Sequence, residues 1–205
     1  MRVHVMCAVA GSLLFGASCY AQFMPLVAKT KEVEQISKDG KIVETHVREG
    51  VYYRSSDGSV LEHWTTIDGS TDKAKLSRGG NTFFDNTNGS VYSLDLANHK
   101  AALESTGKRT RPDNMQAGNA KPLSEEWIGG IRCQVFPLQM RVMGGKLFQA
   151  GQVCTAPDYG LLVKRDMTYP SDDGRTEHVV WTMQDIEIGK EPDRKLFDAI
   201  RSGNV

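Results

Sequence analysis

Seven turn-forming pairs punctuate this chain and constrain its fold more than any other feature: Asp39-Gly40, Asp57-Gly58, Asp68-Gly69, Gly79-Gly80, Asn88-Gly89, Gly144-Gly145 and Asp173-Gly174. Both members of such a pair tolerate positive φ, the backbone geometry of tight hairpin turns. The segments between them are short and rich in Val, Ile, Thr, Tyr and Phe, as at 41–48, 51–55, 59–65, 82–85 and 91–96. Short strands separated by hairpin turns predict an antiparallel meander. No helix-length apolar pattern separates the runs, so a parallel βαβ sheet, which needs long crossovers, is not expected.

The second half continues the rhythm after a break. Residues 105–122 are polar, carry Lys108, Arg109 and Arg111, and read as a long exposed loop. Strands resume at Leu123, with 131–143 and 146–154 flanking Gly144-Gly145, and 161–169 and 176–188 forming a last hairpin. In that last strand Val179, Trp181 and Met183 share one parity, whereas Ile186 and Ile188 have the other. A bulge near Gln184-Asp185 would return all five to one face and bend the sheet. Pro192 then opens a short helix over 193–200 with Leu196, Phe197 and Ile200 as its apolar stripe, expected to pack on the sheet end. One internal echo links two hairpins: residues 52–60 and 83–91 both read as two aromatics, a polar stretch, Asx-Gly-Ser and valine.

Residues 1–21 have the layout of an export signal: Arg2 and His4, an apolar run from Val5 to Phe15, then small residues ending at Ala21. Cleavage there would leave a single β-rich domain over 22–205, periplasmic or secreted. Gly16-Ala17-Ser18-Cys19 offers a minor alternative, a lipid anchor through Cys19. The remaining 24 Lys and Arg against 25 Asp and Glu exclude a dominant basic surface for nucleic acid. No later stretch approaches the roughly 20 apolar residues of a membrane helix. Cys7 and Cys19 fall in the signal, so Cys133 and Cys154 remain as an even pair, read as one structural disulfide in an oxidising compartment. A turn at 143–144 would set them face to face across a hairpin, at a spacing that suits a bridge. A turn at 144–145 would offset them by two positions, out of reach unless a bulge restores the register.

Catalytic signatures are missing. There is no Gly-x-Ser-x-Gly, no His-Glu-x-x-His and no phosphate-cradling glycine loop before a helix. His46, His63, His99 and His178 lack metal-ligand spacing, and only His63 beside Trp64 and His178 near Trp181 merit a search for a pocket. Glu125-Glu126 and Asp172-Asp173 are adjacent pairs, but adjacent residues on a strand point to opposite faces, so adjacency alone makes neither a catalytic pair. No cofactor or metal is expected, and the chain reads as non-enzymatic.

Several motifs taken together resemble a group of secreted bacterial β-rich proteins similar in layout to the lipoprotein-localisation-factor (lipoprotein carrier) superfamily. They are Gly50-Val51-Tyr52-Tyr53-Arg54-Ser55-Ser56-Asp57-Gly58, Gly89-Ser90-Val91-Tyr92-Ser93-Leu94-Asp95, Trp127-Ile128-Gly129-Gly130-Ile131-Arg132-Cys133 and the ending Ile186-Glu187-Ile188-Gly189-Lys190-Glu191-Pro192-Asp193-Arg194-Lys195-Leu196-Phe197. The resemblance implies a curved sheet wrapped as an unclosed barrel around an apolar cavity for lipid or acyl chains.

The expected fold is therefore mainly β: a strongly curved antiparallel sheet, an unclosed half-barrel, with a short C-terminal helix. The expected function is binding of an apolar ligand or a lipidated partner on the concave face, with Trp64, Tyr92, Trp127, Phe136, Trp181 and Met183 as candidate contacts. The alternative is a structural or protein-interaction module of the cell envelope. Oligomeric state is not legible.

Overall fold

A computed structural model of the chain describes residues 23–106, 121–141, 147–170 and 174–205, with the side chains of 140–147 excluded. The export signal with Cys19, most of the 105–122 loop, the Gly144-Gly145 turn and Asp172-Asp173 lie outside these residues. Eleven strands form one antiparallel sheet. They are β1 (Leu26–Lys38), β2 (Lys41–Arg54), β3 (Val60–Ile67), β4 (Thr82–Asp85), β5 (Ser90–Asp95), β6 (Lys100–Ser105), β7 (Ser124–Ile128), β8 (Ile131–Arg141), β9 (Leu147–Ala156), β10 (Leu161–Pro170) and β11 (Thr176–Ile188). Two short helices accompany them, α1 (Lys73–Ser77) and α2 (Arg194–Arg201).

The strand order is β6-β5-β4-β3-β2-β1-β11-β10-β9-β8-β7, so each half of the chain is a meander and β1 and β11 join the halves. The edges β6 and β7 are consecutive in sequence yet stand at opposite ends of the sheet, which is not closed into a barrel. Asp39-Gly40 joins β1 to β2 as a two-residue turn with both φ positive, the geometry that such pairs favour. Asp68-Gly69 and Gly79-Gly80 do otherwise: they bracket α1 instead of closing hairpins. Asp72 caps α1, its carboxylate accepting from Lys75 N at 3.0 Å, and so starts a helical turn where the strand pattern lapses.

The bulge expected in β11 is present. Val27 pairs with Glu187 but Lys29 pairs with Gln184, and Asp185 takes a positive φ of 48°. The extra residue lets Ile186 and Ile188 pack on the same core as the buried Val179, Trp181 and Met183 side of the strand.

Cys133 and Cys154 are bridged, but not face to face. Cys154 pairs with Val135, so the register carries the offset of two positions that was expected to prevent bridging. β8–β9 pairing starts at Gln134, leaving Cys133 just outside that ladder, and the two Cα atoms stand 5.6 Å apart. That separation lies in the ordinary range for a disulfide, so the bridge is a diagonal one.

Two cores occupy the two faces. The larger gathers Leu26, Ala28, Tyr52, Trp64, Val135, Leu161, Val163, Trp181 and Met183 on the inner face. The smaller packs Phe197 and Ile200 of α2 against Leu61, Phe83 and Leu94 on the other face of β3–β5. Helix α2 thus covers the outside of the sheet rather than its end. Arg201 fixes it there: Nε donates to Asp85 Oδ2 at 2.9 Å and Nη2 to Asp57 Oδ2 at 3.3 Å. The two echoed hairpins of the sequence present these two carboxylates, and Asn86 Nδ2 also donates to Asp57 O across them at 2.7 Å.

Candidate functional site

The inner face is concave, as one contact demonstrates. The indole Nε1 of Trp181 on β11 donates to Glu62 Oε1 on β3 at 2.8 Å. These strands are three apart in the sheet, roughly 14 Å along a flat ladder. Side chains on a flat sheet stand side by side and could not meet this way; inward curvature tips them together. Arg54 spans the same width nearer one end of the strands. Its fully buried side chain on β2 donates to Gly160 O beside β10 at 3.3 Å and to Met24 O at 3.0 Å.

On this face, with Glu62 and Trp181 in its wall, the core leaves a cavity of about 370 Å³, at the lower end of the range for ligand pockets, about 300–1,000 Å³. Its walls are mainly apolar, formed by Tyr52, Val60, Trp64, Phe84, Leu162 and Met183, with Trp181 across it. Trp64 is held firmly. Its Nε1 donates to Gly79 O at 2.6 Å, and its backbone N to Asn81 Oδ1 at 2.8 Å. Two glycines make room for the ring: a Cβ on Gly50 would stand 3.0 Å from Trp64 Cε3, and one on Gly79 2.7 Å from Trp64 Cδ1. At Gly79 the ring would have to shift, and a Cβ on Gly50 would also meet the backbone oxygen of His63 at 2.5 Å, so the close approach of β3 requires glycine at position 50.

Four charged groups also line the cavity: Glu32, Arg48, Glu62 and Arg165. Strand register sets Arg165, Trp181, Glu32 and Arg48 in one row across β10, β11, β1 and β2. Glu32, 8% exposed, lies between the guanidinium groups, 3.2 Å from Arg48 Nη1 and 3.5 Å from Arg165 Nη2. Burial pushes its carboxyl above the ordinary glutamate value, against the pull of both arginines. Glu62 faces Tyr52 and Thr82 across the strands. Burial raises its carboxyl as well, against the hydrogen bond from Trp181.

Of the six expected contact residues, Trp64, Trp181 and Met183 meet at this cavity. Tyr92 lies on the opposite face beside Phe83, ring centroids 5.8 Å apart, because its strand parity matches the outer core. Trp127 is 73% exposed on the edge strand β7. Phe136 packs against the inner core but does not line the cavity. The charged residues were missed, although the sequence held a signal: Glu62 shares its parity with Val60 and Trp64, and Glu32 with Ala28 and Thr30. Charge at core parity marks a position where the sheet is not simply filled.

The arrangement offers binding chemistry. His63 faces away from the cavity and stacks on Tyr53 at 6.3 Å, with burial holding its imidazole below the usual value. His178 Nε2 lies 2.9 Å from Asp166 Oδ1, and neither residue lines the cavity. Among the described residues no group of three His, Cys, Asp or Glu side chains could hold a metal ion, and no helix is long and apolar enough to cross a membrane.

No protein-family model matches the chain, and no curated protein matches it in sequence. Solved structures similar to it include a LolA superfamily protein from Nitrosomonas europaea, 9% identical at a TM-score of 0.33, with 85% of this chain and 90% of that one covered. Another is described as an outer membrane lipoprotein-sorting protein domain from Vibrio parahaemolyticus, 9% identical at a TM-score of 0.35, covering 85% of this chain and 89% of that one.

Proposed function

We propose that this chain is an exported, non-enzymatic envelope protein that binds an apolar ligand, a lipid or acyl chain, in the concavity of its sheet. The observation that carries this reading is the cavity of about 370 Å³ walled by Tyr52, Trp64, Phe84, Leu162, Trp181 and Met183. A folded domain ordinarily packs such side chains against one another at near-crystalline density. Here the curvature of an unclosed sheet holds them apart around a space of ligand size. The export signal over 1–21 supports a periplasmic or secreted location, where lipids and lipidated proteins are available partners.

Solvent extraction of the protein purified after export, followed by mass spectrometry, tests the reading. A lipid recovered in near-stoichiometric amount is the expected result. Recovery of none, together with failure of added long-chain lipids to bind, would overturn it.

A second reading, an interaction module of the envelope, is favoured by one feature. The edge strand β7 carries the exposed Trp127, an apolar side chain on a strand with no further strand beside it among the described residues. Loss of a concentration-dependent mass increase in Trp127→Ser would support it.

A further inference from the structure

Among the described residues, Glu62 is the charged group of the cavity that has no ion pair. It projects from the middle of β3 with Val60 and Trp64 on its own face, and Tyr52 and Thr82 opposite across the strands. Among the described residues its side-chain partner is a neutral donor, the Trp181 indole, at 2.8 Å, and it forms no ion pair. Arg165 is near enough to favour the charged carboxylate, but its guanidinium is engaged with Glu32 at 3.5 Å. A carboxylate enclosed by rings is costly unless a charge pairs with it. Aromatic rings attract a cation through their faces, which is how aromatic cages take ammonium groups.

Resting on the ligand-binding reading above, we infer that the ligand carries an ammonium group seated against Glu62 between Tyr52, Trp64 and Trp181. Its apolar body lies along Leu162 and Met183. Glu32, by contrast, already has its cations in Arg48 and Arg165 and offers the ligand no unpaired charge. The acidic and aromatic part of the wall thus sets head-group specificity, and the aliphatic part sets affinity for the chain.

Calorimetric titration with decylammonium, decanol and decyl sulfate, below micelle formation and at mildly alkaline pH, tests the assignment. Decylammonium should bind the wild type about tenfold more tightly than decanol, the scale of one charge-assisted hydrogen bond, and decyl sulfate more weakly than either. In Glu62→Gln, which keeps an acceptor for the Trp181 N–H, the ammonium advantage over decanol should fall to within about twofold. Glu62→Asp keeps the charge and should keep the order of the three ligands, which guards against a glutamine variant that folds poorly. Equal binding of the three, or a preference for decyl sulfate, would overturn the ammonium assignment and leave the apolar-cavity reading standing. A sulfate preference would instead place the head group on Arg165, whose buried Nε–H has no acceptor among the described residues. Failure of all three to bind would overturn both.

Discussion

Trp181 and Glu62 join β11 to β3 across the open side of the sheet, Nε1 to Oε1 at 2.8 Å, over two intervening strands. The bond records the curvature, and both of its residues line the cavity. Trp181→Phe keeps the ring and removes the donor, leaving a half-buried carboxylate without its partner. A loss of about 2 kcal/mol at neutral pH is expected, within the range for an unsatisfied buried acceptor. Urea denaturation with an unchanged m-value would measure it.

The pH dependence should have two arms. Burial raises the Glu62 and Glu32 carboxyls above 4.5, so the folded state holds these protons more tightly than the unfolded chain does. Stability therefore increases as pH falls through the raised values toward 4.5. Asp85 and Asp57 run the other way. Burial alone would raise them, but hydrogen bonds from Thr87, Ser55, Ser59 and Arg201 hold both below 3.8. Their contribution is complete above 3.8 and is lost as pH falls through the depressed values. Stability measured across pH should thus peak in mild acid, and Glu62→Gln should flatten the neutral-side arm only.

Arg201 should be the costliest single charge to remove. Its guanidinium meets fully buried Asp85 through Nε at 2.9 Å and Nη2 at 3.1 Å, and also lies over the Phe83 ring. Arg201→Met strands Asp85 without its cation, at about 3 kcal/mol. A double-mutant cycle with Asp85→Asn should recover most of that loss, since the buried charge is then gone.

Most of the sheet was legible in the sequence because strand and turn signals are local. β4 and β11 begin and end where the β-branched and aromatic runs do, and the parity break at Ile186 marked the bulge at Asp185. What was not legible depended on curvature or on which face is inside. Tyr92 carries the same local signal as Trp64, yet alternation along β5 turns it toward α2. α1 escaped notice because five residues hold too little periodicity, and its cap, Asp72, also reads as a turn residue. The diagonal Cys133–Cys154 bridge depends on where the β8–β9 ladder ends, which no spacing of cysteines encodes.

Gly50 should resist substitution despite its place inside a strand. A Cβ there would lie 2.5 Å from His63 O and 3.0 Å from Trp64 Cε3. Gly50→Ala should cost about 1–3 kcal/mol, as overpacking does, and shift the Trp64 emission. An unchanged thermal midpoint and spectrum would show that β2 and β3 yield there.

Removing the bridge through Cys133→Ser with Cys154→Ser reopens a loop of 21 residues' separation. The chain-entropy model gives roughly 3 kcal/mol for that closure. The expected result is a lower denaturation midpoint with the cavity still able to bind, because neither cysteine lines it.

The most direct test uses the positions of the three tryptophans, two at the cavity and one on the outer edge. A brominated long-chain alcohol quenches only the indoles it touches. Titrated into Trp127→Phe, it should quench the remaining Trp64 and Trp181 emission saturably, at one ligand per chain. Quenching that vanishes in Trp127→Phe and persists in Trp64→Phe would put the apolar ligand on the edge of the sheet and contradict a binding cavity.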